Sequence, residues 1–277
     1  MFRRFAIALL SAPLSLISLM PPSLAQLTTR QVTPPDVRGH WAAQCLKQMV
    51  HQDVIQPFPD KTFRAYVPMT RGEFADVLSR AFPEMPVVRV FDGNEFVDVP
   101  ANYWALLDIE YAYETNFLSG YPDRSFQPSE NVSRLEVILA IASGLGLVRV
   151  AVPPPLPANP SPAPNRNLLP PQANPFELNL APLPQDPGTL LQGTFADSAA
   201  IPPYARPAVA AAIHEGLVVN FPYPAILRPQ QPASRGDVAA FLCQATGSPG
   251  LVPPLYQVRS QPANLNGLSP LFPQQPF

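Results

Sequence analysis

Three arginines stand in the same short setting: Thr70-Arg71-Gly72-Glu73, Ser133-Arg134-Leu135-Glu136 and Ser234-Arg235-Gly236-Asp237. In each, the hydroxyl residue and the acid three places on form a capping box. The hydroxyl accepts from a backbone N–H inside the helix, and the acid reaches back to the N–H of the cap. Capping asks nothing of the arginine between them. It sits at the first helical position, where the partial positive charge of the helix end makes a cation mildly unfavourable. Its return in the same place three times points to a task, and two tasks fit the chemistry. One is to hold an anion, because exposed N–H groups and a guanidinium fork suit a carboxylate or a phosphate. The other is an ion pair with a neighbouring segment, for instance with Asp36 or Asp98.

The arginines belong to a longer repeated unit. Its fullest copy reads Phe96-Val97-Asp98-Val99, Trp104, Pro122-Asp123-Arg124-Ser125-Phe126, then the capping box at Ser133. Upstream the same parts are Asp36-Val37, Trp41 and Pro59-Asp60-Lys61-Thr62-Phe63. Thirty residues separate Trp41 from Arg71, and thirty separate Trp104 from Arg134. A more divergent third copy has Phe195-Ala196-Asp197, Tyr204 for the tryptophan, and Phe221-Pro222-Tyr223-Pro224 for the Pro-Asp turn. Repetition at a fixed period decides the architecture before any single residue does. Trp41 and Trp104 read first as packing anchors, and as platforms for a sugar if a ring face stays exposed. The Pro-Asp segments read as turns.

Helical periodicity supplies the elements that position these residues. Ala42, Cys45, Leu46, Met49 and Val50 form one apolar stripe, as do Ala105, Ile109, Ala112 and Tyr113, and again Ala205, Ala208, Val209, Ala212 and Ile213. Second helices open at the capping boxes and bury Phe74, Val77, Leu78, Ala81 and Phe82 in the first copy, and Val238, Phe241, Leu242 and Ala245 in the third. Asp53, Asn116 and Gly216 stand where the first helices end, and these types best tolerate a left-handed C-terminal turn. Asp108 interrupts its stripe; it either lies at the edge and reaches water or faces a ligand between repeats. The fold class is all-α, built of helix-loop-helix units.

Composition bounds the rest. The 277 residues include 40 prolines and only 14% charged residues, with a net charge of −2. Such a chain has no basic field for nucleic acid or an anionic membrane. Two cysteines are too few for a disulfide framework or a zinc ribbon, and no motif asks for a metal or a cofactor. Arg3, Arg4, the apolar run from Phe5 to Met20 and Ser23-Leu24-Ala25 read as a signal peptide at 1–25, cleaved before Gln26. No later stretch is long and apolar enough to span a bilayer. The units then occupy 34–82, 96–148 and 194–247. A proline-rich linker at 149–193 and a proline-rich tail at 248–277 are expected to be extended or disordered. With a linker of that length, the third unit need not touch the other two.

The combination Phe-x-Asp-Val, Trp, Gly-Tyr-Pro-Asp-x-x-Phe and Ser/Thr-Arg-x-Glu resembles the S-layer homology (SLH) domain. The match is fullest over Phe96 to Leu145, which includes Gly120-Tyr121-Pro122-Asp123. The resemblance implies three repeats gathered into a pseudo-threefold helical bundle. It also implies grooves between repeats that bind cell-wall polysaccharide bearing acidic groups such as pyruvate ketals. By motif position the ligand-binding residues are Arg71, Arg134 and Arg235, with Asp98, Trp41 and Trp104 beside them. Thr70, Glu73, Ser133, Glu136, Ser234 and Asp237 stay structural caps. The function implied is non-catalytic anchoring of an exported bacterial protein to the cell envelope, at the surface or in the periplasm, through peptidoglycan-associated glycan. The alternative is an envelope scaffold that recruits partner proteins through its proline-rich segments. A glycan-cleaving enzyme would need a carboxylate pair such as Glu73 and Glu136, and both are already explained as caps.

Three departures from the pattern matter. The family's usual alanine after the arginine is Gly72, Leu135 or Gly236, and a leucine is expected to narrow its groove. The third copy lacks tryptophan, so its groove is expected to be structural. Closure of the ring is left open by the linker. In a closed ring the first helix of repeat 1 neighbours the second helix of repeat 3, which brings Cys45 near Cys243. Export permits a disulfide there; two buried thiols are the alternative.

Overall fold

The computed structural model describes residues 33–93, 95–150, 176–178, 183 and 185–259. These residues belong to one compact unit that begins at Thr33. The expected signal peptide, most of the linker and the tail beyond Arg259 lie outside the described residues.

Repeat 1 supplies α1 (Ala43–His51) and α2 (Arg71–Ala81), and repeat 2 supplies α3 (Leu106–Glu114) and α4 (Arg134–Gly144). A short antiparallel pair follows, β1 (Val148–Val150) with β2 (Phe176–Leu178), in the register Val148 to Leu178. After α5 (Pro187–Thr194), repeat 3 supplies α6 (Arg206–His214) and α7 (Arg235–Ala245). The periodic stripes face inward: Cys45, Leu46, Met49 and Val50 on α1, and Ala208, Val209, Ala212 and Ile213 on α6, are buried. All three capping boxes are complete, with the hydroxyl accepting from the third helical N–H and the acid accepting from the cap. The first helices stop where expected, at Asp53, Asn116 and Gly216 with φ of 62°, 66° and 69°. Those left-handed residues turn the chain so that the carbonyls of the last turn find partners.

The ring closes. Met69, Val132 and Ala233, each just before a cap, hydrogen-bond in a cycle: Met69 N–H donates to Ala233 O (3.0 Å), Ala233 N–H to Val132 O (2.8 Å), and Val132 N–H to Met69 O (3.0 Å). A second cycle surrounds it, in which Arg71, Arg134 and Arg235 donate their backbone N–H to Glu130, Gln231 and Val67 carbonyls. The second helix of each repeat packs on the first helix of the next, α2 on α3, α4 on α6 and α7 on α1. One core runs through all three repeats and includes Phe63, Phe74, Phe126, Phe195 and Phe241. Cys45 of α1 and Cys243 of α7 are disulfide-bonded, with Cα atoms 6.1 Å apart.

Two expectations are corrected. Ring closure, left open by the linker, is observed, and the end of the linker from Pro187 onward is helical rather than extended. Asp186 caps α5 by accepting from Thr189 N–H, Pro187 occupies the first turn, and Leu190 and Leu191 are buried. Proline at that position is compatible with a helix because its missing N–H would have had no partner. The described part of the tail is folded onto the body, with tight turns at Pro249–Leu251 and Pro254–Tyr256 and with Val252 and Val258 buried. Proline density argues against a periodic core, but it does not stop isolated apolar residues from docking onto one.

The closed ring also explains the residue after each arginine. A Cβ on Gly72 would lie 3.0 Å from the Tyr103 hydroxyl and 3.1 Å from Pro128 O. On Gly236 it would lie 2.9 Å from His40 Cε1 and 3.0 Å from Ala65 O. The residue that corresponds to Tyr103 and His40 in repeat 3 is Pro203, which brings no large ring, and Leu135 is buried at that junction. Glycine or leucine is therefore chosen by the neighbouring repeat. Gly236→Ala is expected to lower stability by about 1–3 kcal/mol, seen as a lower urea midpoint, because a backbone oxygen cannot yield as a side chain can.

Candidate functional site

The three arginines lie at the three junctions of the ring, and none points to solvent. Their relative exposures are 4% for Arg71, 2% for Arg134 and 6% for Arg235. Each reaches across to the loop of the next repeat, and the pattern repeats atom by atom. Nε donates to Phe126 O from Arg71 (2.8 Å), to Leu227 O from Arg134 (2.9 Å) and to Phe63 O from Arg235 (2.9 Å). Nη2 donates to Ser119 O, Val219 O and Gln56 O in the same order. Aromatic faces complete each nest, Phe126 and Tyr121 for Arg71, Phe241 for Arg134, and Phe58 and Phe63 for Arg235.

The helix ends offer no open N–H groups to an outside anion at the positions of the arginines. Those groups are spent on the neighbouring loop, as are those of Gly72, Leu135 and Gly236, which donate to Pro128, Pro229 and Ala65 carbonyls. The anion at two junctions is instead the capping acid of the next repeat. Arg71 Nη1 pairs with Glu136 Oε1 at 2.9 Å, and Arg134 Nη1 with Asp237 Oδ1 at 2.6 Å. One carboxylate thus caps its own helix and fastens the preceding repeat. Arg235 has no such partner among the described residues; Glu73 draws its guanidinium electrostatically without an ion pair. Burial pushes the pKa of Arg134 and Arg235 down, and Asp237 opposes the shift at Arg134.

Asp36 and Asp98 do not pair with the arginines. Asp98 accepts the backbone N–H groups of Phe126 and Gln127, both at 2.7 Å, and Asp36 and Asp197 do the same in their repeats. These acids staple the start of each repeat to the far end of its loop. Asp60 and Asp123 hold the Pro-Asp turns by accepting from Thr62 and Ser125, and those bonds keep both carboxyls below the usual range. Asp108 is partly exposed at the edge of its stripe. It accepts from the Ser79 hydroxyl at 2.6 Å, so it ties α3 to α2.

The two tryptophans differ. Trp41 is half-buried, stacked face to face on Phe221 of repeat 3 at 5.2 Å between centroids. Trp104 is 61% exposed, with Leu107 exposed one helical turn further on. Beside the first junction lies a cavity of about 200 Å³, lined by Arg71, Ser119, Tyr121, Glu136, Leu139 and Ser143 among others. Tyr121 donates its hydroxyl to Glu136 at 3.0 Å, and burial raises the pKa of the phenol. A larger cavity of about 390 Å³ lies at the C-terminal ends of α6 and α7 and contains none of the motif residues.

Two contributors lie outside the repeated motifs. Arg89, in the connector between repeats 1 and 2, lies over the Tyr113 ring and donates to Leu118 O and Ser119 Oγ. Its lone cation among Val87, Val88 and Val90 was the available signal. Tyr256, in the proline-rich tail, packs edge-on against Trp41.

Among the described residues no helix is long and apolar enough to cross a membrane. Two known proteins of Acetivibrio thermocellus are similar to parts of this chain. A cellulosome-anchoring protein is 37% identical over 76 residues, 27% of this chain and 16% of its own length. Cell surface glycoprotein 1 is 28% identical over 113 residues, 38% of this chain and 5% of its own length. The chain thus spans well under a fifth of either relative. Residues 35–75, 95–138 and 194–239 match the family model of the S-layer homology domain. With the three capping boxes, the three junction arginines and the closed ring in the same places, these three segments are S-layer homology domains.

Proposed function

We propose that this chain is a non-catalytic anchor that holds to the bacterial cell envelope by binding an acidic cell-wall polysaccharide, including pyruvylated glycan, at the junctions between its domains. The observation that carries the reading is the indole of Trp104, just before α3, which is 61% exposed, against 44% for Tyr204 and a half-buried, ring-stacked Trp41 at the equivalent positions. The indole and the exposed Leu107 beside it offer an apolar surface, and a flat ring suits the face of a sugar. The names of the two relatives, one an anchoring protein and the other a surface glycoprotein, support the same direction. Non-catalysis is supported by the acids a hydrolase would recruit: Glu73 and Glu136 each close a capping box, and Glu136 also pairs with Arg71.

In this reading the six ligand residues divide by role. Trp104 meets the sugar, Trp41 is stacked on Phe221, and Arg71, Arg134, Arg235 and Asp98 act mainly by fixing the loops that form the groove walls. Trp104→Ala is therefore expected to reduce retention on purified cell walls about tenfold or more, with unchanged circular dichroism and melting temperature. Equal retention of variant and parent chain would refute the reading. Removal of the acidic secondary polymer from the walls before the assay is expected to abolish the difference between them.

A further inference from the structure

Residues 248–258 follow α7 and do not leave the body. Ser248 N–H donates to Cys243 O (2.9 Å), Asn220 N–H to Tyr256 O (2.9 Å), and Val258 N–H to Val218 O (2.9 Å). Val219 and Gln257 form an isolated antiparallel bridge. The segment is thus laid along the loop of repeat 3 like an added strand, anchored by the buried side chains of Val252 and Val258. It carries the Tyr256 ring to the junction between repeats 3 and 1. There Tyr256 stands edge-on to Trp41 at 5.5 Å and edge-on to Phe221 at 5.1 Å, while Trp41 and Phe221 stack with an angle of 2° between their planes.

The other two repeats do not do this with the corresponding loop aromatics. Phe58 lies under the guanidiniums of Arg64 and Arg235, at 4.1 and 4.6 Å, and Tyr121 is turned to Arg71 and Glu136. Phe221, in the copy whose Pro-Asp turn is replaced, instead covers a face of Trp41, and Tyr256 seals the edge. Trp104 has only Tyr103 as an aromatic neighbour among the described residues, at 5.8 Å. Edge-to-face and stacked aromatic contacts favour such a cluster beyond the area they bury.

We infer that the proline-rich strap at 248–258 holds the junction at Trp41 shut, so that the chain offers one open tryptophan groove, at Trp104, and receives one glycan rather than two. The inference rests on the wall-binding reading for its ligand, but the closure itself is a property of the fold. A ligand that stacks on the face of Trp41 covered by Phe221 has to displace that ring, which Tyr256 braces edge-on. Releasing the strap therefore exposes a second groove.

The chain has two tryptophans, so single substitutions isolate each indole in the full-length protein. With Trp104→Phe only Trp41 reports, and with Trp41→Phe only Trp104 does. Acrylamide is expected to quench Trp104 several-fold more efficiently than Trp41. Adding Tyr256→Ala to the Trp104→Phe chain is expected to raise quenching of Trp41 at least twofold. Val258→Pro, which removes the Val258 N–H bond without touching the ring cluster, is expected to do the same. In chains with both tryptophans, Tyr256→Ala is expected to raise the binding of soluble cell-wall glycan fragments from one to two per chain. Equal quenching of the two indoles in the otherwise native chain would overturn the proposal. So would protection of Trp41 that survives both strap variants in folded protein. If no chain binds the fragments, the wall-binding reading falls, and the quenching contrast alone decides whether the strap is closed.

Discussion

Arg134→Met is expected to destabilise the fold by about 3–5 kcal/mol, the loss typical of removing one partner from a buried ion pair. The guanidinium is almost wholly enclosed, and its partners are Leu227 O, Val219 O, Asn220 Oδ1 and Asp237 Oδ1. Methionine fills similar space but donates nothing. Two loop carbonyls are then left without partners, and Asp237 keeps its charge in a site that is 17% exposed. The same change at Arg235 is expected to cost less, about 2–3 kcal/mol, because carbonyls lose donors there but no carboxylate is stranded. Urea unfolding of the two variants tests the ranking. Equal losses, or a loss below about 1 kcal/mol at Arg134, would show that the ion pair is not what fastens repeat 2 to repeat 3. The ranking also bears on function, because weaker wall binding by an arginine variant has meaning only beside its stability.

The Cys45→Ala, Cys243→Ala double variant should be weaker by about 2–5 kcal/mol, a fall of roughly 5–15 °C in melting temperature for a domain of this size. The bond spans 198 residues, and closing so long a loop restricts the unfolded chain more than closing a short one. Both cysteines are fully buried on apolar stripes, so part of the loss comes from packing. Reductant applied to the parent chain separates the two contributions, since it opens the bond and leaves both sulfurs in place. If the reduced parent melts with the oxidised one, cross-linking contributes nothing and only packing is at work.

The residues that could be read from the chain alone are those whose reasons are local. A stripe such as Ala205, Ala208, Val209, Ala212 and Ile213 declares its helix through spacing, and Thr70 with Glu73 declares where the next one starts. Asp53, Asn116 and Gly216 mark helix ends because few residue types accept that backbone conformation. The arginines could be singled out because they stand against the helix field, but their partners could not be named. Glu136 and Asp237 serve another repeat while capping their own helix, and a residue with one sufficient local explanation conceals a second. Gly72 and Leu135 became intelligible only through Tyr103 and Pro203 of the following repeats. Proline content concealed α5 and the docked Tyr256, since composition averages over a segment and docking needs only a few side chains.

The disulfide sits at the one junction of the ring that the backbone leaves open. Repeat 1 continues into repeat 2 and repeat 2 into repeat 3, while repeats 3 and 1 are joined covalently only through Cys45 and Cys243. Tension applied through the segments before Cys45 and after Cys243 passes straight across that bond. The covalent path of that load bypasses the intervening chain, with its three capping boxes and the Trp104 groove. A body loaded in this way can let its flanking segments stretch and still keep its binding surface folded.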